Sequence, residues 1–391
     1  MKKLKLITLS IFLCSMMGYD AFASNAADST KHEKTLFEAV TKLQKKNDLI
    51  NVSLNTKTSF NTALKSTEGE KAGFKVDYLR LQIKGNITDR ISFMWMQHLN
   101  RNTNPNHDKM PSSIDCLGVG YQITPTLSTF VGKQYADFGG FEYDANPADV
   151  YDFSDYGSNI TCFLVGAHLV WNVAPAHELR FQIVNGRNHS AEDTYGVVSD
   201  DFKEAKLPLG YTFHWNSHMA EDRLLTRCSY SVFHEGDGVN NTFLALAAGW
   251  KQDRFSMFVD ALYAREEIDK AGMLSNVVSD EAGVRAMNAE YTTIISRWDF
   301  RPTEKLNLFV KGMYETSRAY KENNGIEKGT YRMSYGYQGG MEYFPMKQNF
   351  RLFLAYHAKD VHYTSRGKAL GFDHENTQYL SMGLTYNIPL F

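Results

Sequence analysis

The fold this sequence predicts is an all-β, transmembrane up-and-down antiparallel β-barrel of about sixteen strands, and three observations carry the prediction. A basic and then apolar leader opens the chain, ten-residue segments alternating apolar and polar side chains run from Ile50 onward, and the last such segment ends on an aromatic residue, Phe391. Period-two alternation describes a strand with one greasy and one wet face, and tilted membrane strands need about ten residues to cross.

The leader comes first. Lys2, Lys3 and Lys5 precede the apolar run Leu6 to Met17, and Ala21-Phe22-Ala23 has the A-x-A form of a cleavage site, so residues 1–23 read as a secretory signal peptide. The apolar run falls short of the roughly 20 residues a helical span needs. Bulky Leu13 stands where a lipoprotein at Cys14 would need a small residue. No other uncharged apolar stretch reaches spanning length, which leaves a periplasmic protein or an outer-membrane barrel.

Composition favours the barrel. Aromatics make up 13 % of the chain, yet hydrophobic residues reach only 43 % and the mean hydropathy is −0.39, as expected when half of each strand faces water. The leader carries three lysines and one aspartate, so its removal takes the net charge from −2 to −4, with no basic excess to suggest nucleic acid. Cys116, Cys162 and Cys228 are too scattered for a disulfide framework or a metal knot. No cofactor or metal is expected.

Residues 24–48 form a polar periplasmic lead in which Leu36, Phe37, Val40 and Leu43 have helical spacing, compatible with one short amphipathic helix. The barrel then occupies 49–391. Its segments are 50–60, 74–84, 91–100, 113–123, 126–134, 159–171, 177–185, 206–216, 224–234, 242–251, 254–265, 290–300, 305–316, 331–343, 349–361 and 377–388. Along most of the chain short connections such as Thr124-Pro125 and Gln252-Asp253 alternate with long ones such as 186–205 and 266–289. Tight periplasmic turns and longer outer loops produce that pattern. Pro389 cannot donate to a ladder, so the last strand is expected to end near Ile388.

The alternation also assigns the faces. Leu352, Leu354 and Tyr356 oppose Arg351, His357 and Lys359, while Met333, Tyr335, Tyr337 and Met341 oppose Arg332, Ser334, Gln338 and Glu342. A charge on the lipid face costs about 2 to 4 kcal/mol at the midplane, so the charged set must face the lumen. Trp171, Trp215, Trp250, Trp298 and Tyr343 lie near segment ends, where interfacial girdles form. In this phase the channel-lining bases are Arg80, Lys84, Arg180, Arg227, Arg297, Lys311, Arg332, Arg351 and Lys359, against the acids Asp260, Asp299, Glu315 and Glu342. The connection 135–158 follows the fifth segment and carries Asp137, Glu142, Asp144, Asp149, Asp152 and Asp155 without a basic residue. As a constriction loop it would set acids opposite a basic wall and create a transverse field; as a surface loop it would stay in solvent.

Residues Phe74 to Asn100, V-G-K-Q at Val131 to Gln134, F-G-G-F-E at Phe138 to Glu142 and H-E-L-R-F-Q-I-V-N-G-R-N at His177 to Asn188 together resemble the phosphate-selective porin O and P family. The resemblance implies a trimer of sixteen-stranded barrels passing anions, with arginines laddering the wall, where Arg80 and Arg180 stand here, and lysines at the constriction. In this chain the loop after Val131 is acidic instead.

Enzymatic constellations are absent: there is no G-x-S-x-G, no H-E-x-x-H and no phosphate-binding glycine loop. The His-Glu pairs at 177, 234 and 374 lack a second histidine at metal spacing. The expected function is therefore an outer-membrane porin of a Gram-negative bacterium, a water-filled diffusion channel for small hydrophilic solutes with anions such as phosphate as candidates, expected as a homotrimer surrounded by outer-membrane lipid. The alternative is a ligand-binding or adhesion barrel with a closed lumen.

Overall fold

A computed structural model describes residues 49–66, 71–104, 106–279, 283–346 and 349–391. The expected signal peptide, residues 1–23, and the expected helix in 24–48 lie outside the described residues. Sixteen strands are present: β1 (Ile50–Lys65), β2 (Ala72–Asn86), β3 (Ile91–His98), β4 (Ile114–Thr124), β5 (Leu127–Tyr135), β6 (Phe163–Ala174), β7 (His177–Asn185), β8 (Leu209–Met219), β9 (Leu224–Gly236), β10 (Val239–Gln252), β11 (Phe255–Ile268), β12 (Met287–Thr303), β13 (Leu306–Ala319), β14 (Gly329–Tyr343), β15 (Phe350–Tyr363) and β16 (Glu375–Pro389). Each pairs antiparallel with its neighbours in sequence, and β1 pairs with β16 from Ser53↔Pro389 to Lys65↔Gln378, closing the barrel. Closure satisfies every ladder and leaves no sheet edge in the bilayer.

The alternation becomes the two faces of the wall. On β15 Leu352, Leu354 and Tyr356 are exposed to the membrane side while Arg351, Phe353 and Ala355 are buried inside. Short turns such as 125–126, 175–176 and 253–254 mark the periplasmic end, and connections such as 99–113, 136–162 and 269–286 mark the outer end. The link between β9 and β10 departs from the pattern. It is only Asp237-Gly238, with Gly238 at φ 72, because both strands extend until a two-residue turn suffices. Trp171, Trp215, Trp250, Trp298 and Tyr343 all sit toward the periplasmic ends of descending strands, forming one girdle.

The final strand, β16, ends at Pro389, one residue past Ile388. Asn387 donates its N–H to Asn349 at 2.8 Å, so Pro389, two residues on, directs its missing N–H to the side where β15 has already ended. Leu390 and Phe391 continue the pairing with β1 at Val52. The proline is placed where a donor has no strand to meet.

Candidate functional site: the inward loop and its wall

The connection 136–162 folds into the barrel and is fixed there by groups of the inner wall. Its backbone is anchored first. On β11, Asp260 accepts from the N–H groups of Phe141 (3.0 Å) and Glu142 (2.8 Å), capping the helical turn Phe141–Asp144. On β13, Glu315 accepts from Asp155 N (2.7 Å) and Tyr156 N (2.9 Å), capping the helical turn Asp155–Asn159. Both wall carboxylates satisfy the free amides at a helix start, which a negative charge also favours. A Cβ at Gly140 would stand 2.6 Å from Asp260 Oδ2, so only glycine lets the carboxylate reach the first turn.

The side chains follow the same scheme, because each of the six loop acids meets a base. Asp137 pairs with Arg180 (3.3 Å) and His168 (3.3 Å), Glu142 with Lys311, and Asp144 with Arg227. Asp149 pairs with Arg351 (2.5 Å), and Asp155 with Arg332 (2.5 Å) and Lys359, which also stands 3.9 Å from Asp152. Arg297 donates to the Asp149 carbonyl (3.4 Å) and is braced by Asp299 (2.9 Å). Arg80 reaches Tyr135 Oη (3.3 Å) and Asp115 (3.7 Å). Lys84 lies on the same face of β2 as Arg80, four residues nearer the periplasmic turn. The loop acids do not face these bases across water; they lie against them in direct ion pairs.

Aromatic packing completes the docking. Phe138 stacks on Phe243 (5.3 Å) and meets Phe233 edge-on, and Tyr151 stacks on Phe309 (5.0 Å) while donating to Glu342 (2.7 Å). Such pairs add about 0.5–1.5 kcal/mol each beyond the area they bury. Lys57 of β1 was absent from the expected lining, yet it donates to the Val150 carbonyl (2.8 Å) and sits 4.6 Å from the Tyr151 ring centroid. Its inward register, shared with Asn55 and Ser59, was the available signal. The capping roles of Asp260 and Glu315 had no such signal, because a cap is defined by a loop more than a hundred residues away.

The lumen is less tightly filled beside β15 and β16. There Asp152 (30 % exposed), Lys359 (22 %) and His357 (18 %) remain partly open, and Tyr379 stacks on His357 at 5.2 Å. Burial alone would push the Asp155 carboxyl up, but Arg332 and Lys359 outweigh it and hold it below the usual carboxylate range. A carboxylate depressed by docking stabilises the docked loop fully above its free value of about 3.9 and loses that contribution as pH falls. Conductance recorded at falling pH is therefore expected to hold steady to about pH 5 and to rise below about pH 4 as the loop is released.

A closed sixteen-stranded barrel with an apolar outer band and a loop pinned across its lumen defines the porin class of outer-membrane channel. The profile of the phosphate-selective porin O and P family matches residues 50–388, and the chain belongs to that family. No curated protein sequence matches the chain. Among solved structures it is similar to the outer membrane channel DcaP of Acinetobacter baumannii (TM-score 0.60, 12 % identity, 86 % of this chain and 96 % of that one). It is also similar to OmpT of Vibrio cholerae (0.56, 10 %, 88 % and 99 %) and OmpF of Salmonella typhi (0.55, 16 %, 88 % and 100 %). At these identities the likeness describes the fold. The family makes the protein an outer-membrane porin of a Gram-negative bacterium, a water-filled diffusion channel.

Proposed function

We propose that this porin passes small hydrophilic solutes passively, without a catalytic step, through a narrow and only weakly charge-selective path beside the docked loop. The observation that carries the reading is the ion pairing of the loop acids with the bases of the inner wall, which cancels the ladder that would otherwise draw anions. Along the open side an acid and a base, Asp152 and Lys359, stand together, so neither sign dominates. A homotrimer is the assembly we favour, in keeping with the trimer form recorded for OmpT of Vibrio cholerae, a barrel of the same fold.

Planar-bilayer recording tests the reading. Stepwise conductance is expected, with a reversal potential near zero in a KCl gradient and little change when phosphate replaces chloride. A reversal potential close to the chloride limit, or current that saturates at low phosphate, would make the channel an anion filter and overturn the weak selectivity.

A further inference from the structure

A cavity of about 440 Å³ lies between the inward loop and the wall formed by β11 and β12, within the roughly 300–1,000 Å³ range of small-molecule sites. Its lining is largely aromatic and aliphatic: Tyr135, Tyr143, Phe153, Phe163, Leu262 and Ile295. Three charged side chains reach it, and they differ in availability. Glu142 and Asp260 are buried and already occupied, by Lys311 and by the backbone amides of the first helical turn. Arg101, from the outer loop after β3, keeps 49 % of its side chain exposed. It is steadied by Asp115 at 3.4 Å, but the same carboxylate serves Arg80 at 3.7 Å and His98 at 2.9 Å. With Asp115 shared between two guanidinium groups, Arg101 keeps donors to offer at the cavity rim.

We propose that this cavity is a binding vestibule for amphipathic monoanions, solutes with a planar apolar body and one carboxylate. The ring would lie among the Tyr and Phe faces, and the carboxylate would be held by the Arg101 guanidinium in a charge-assisted contact. Such a site raises the residence of one solute class beside the path while the ion-paired loop leaves simple salts undiscriminated. The inference rests on the chain conducting as a porin and adds a preferred solute class to it.

The test is current interruption by 3-phenylpropionate, propionate and neutral 3-phenylpropanol added to the outer side of a reconstituted channel. Phenylpropionate is expected to interrupt the current at about tenfold lower concentration than propionate, the gain of burying one ring, and phenylpropanol to be weak. Arg101→Gln should remove the advantage of the anion over the alcohol, and Phe153→Ser the advantage of the ring over propionate. Arg366→Gln, which deletes one charge from the separate outer turn Ser365–Ala369, should leave both. Equal interruption by the two anions, or an Arg101→Gln channel as sensitive as wild type, would overturn the vestibule while KCl steps still upheld the porin. Absence of KCl steps in the wild type would defeat the porin reading itself.

Discussion

Replacing Lys311 by methionine is expected to release the inward loop, enlarge the conductance and shift the channel toward cations. Lys311 is buried and holds both limbs of the loop, through Glu142 on the outgoing limb and the Asp152 carbonyl (2.7 Å) on the returning one. Glu142 in turn accepts from Ser154 N (3.1 Å) and Ser154 Oγ (2.7 Å), so the pair is the knot that keeps the limbs together. Removing one member of a buried pair leaves an uncompensated charge and costs about 3–5 kcal/mol, more than the other loop contacts can individually offset. The carboxylate then escapes its cost by moving into water, taking the loop with it. Larger unitary steps and a cation-side reversal potential, in protein that still shows the heat-modifiable migration of a folded barrel, are the expected signature. Unchanged steps would mean that the loop is held elsewhere.

The double substitution Lys311→Met with Glu142→Leu separates the charge from the packing. With both ions gone no buried charge is stranded, and the apolar replacements fill similar volume, so the loop is expected to redock and the conductance to fall back toward wild type. A double mutant as open as the single one would show that the polar bonds of the pair, from the ammonium to the Asp152 carbonyl and from Ser154 to the carboxylate, rather than its charge balance, fix the loop.

How far such contacts were legible in the sequence depends on the distance over which they act. Alternation within one strand is local, so Leu352, Leu354 and Tyr356 declared the lipid face and Arg351 the lumen face without help from the fold. Strand ends were legible only while the alternation lasted. β1 was expected over 50–60 but runs to Lys65, because beyond the bilayer the ladder with β16 continues through Asn61 and Thr62 without needing an apolar face. The acids of the loop were visible as a set, and the bases of the wall were visible as another. What period two cannot convey is which element stands against which face: Glu142 meets Lys311 across 169 positions, and Asp155 meets Lys359 across 204. Two sets of opposite charge therefore suggested a field across water, whereas folding brought them into contact.

The closing strand, whose alternation announced the barrel, also supplies the substitution expected to damage it most. Gly383 lies opposite Ser59 on β1 and Phe353 on β15, at the seam where the first and last strands meet. A Cβ there would overlap the Thr58 carbonyl oxygen and stand 2.8 Å from Ser59 Cα and 2.9 Å from the Phe353 ring. Two of these three neighbours are backbone, which cannot rotate away, so Gly383→Val must push β1 and β16 apart over the ladder that joins them. Each opened backbone pair would expose polar groups to hydrocarbon at several kcal/mol apiece, a cost no soluble sheet faces at its edge. The expected outcome is loss of the folded, heat-modifiable band and failure to accumulate in the outer membrane. Gly73, at the outer end of β2 with no atom within 4 Å of its Cβ position, provides the contrast: Gly73→Val is expected to fold and conduct as wild type. Normal folding of the Gly383 variant would show that the seam tolerates a side chain between its strands and that closure does not depend on this close approach.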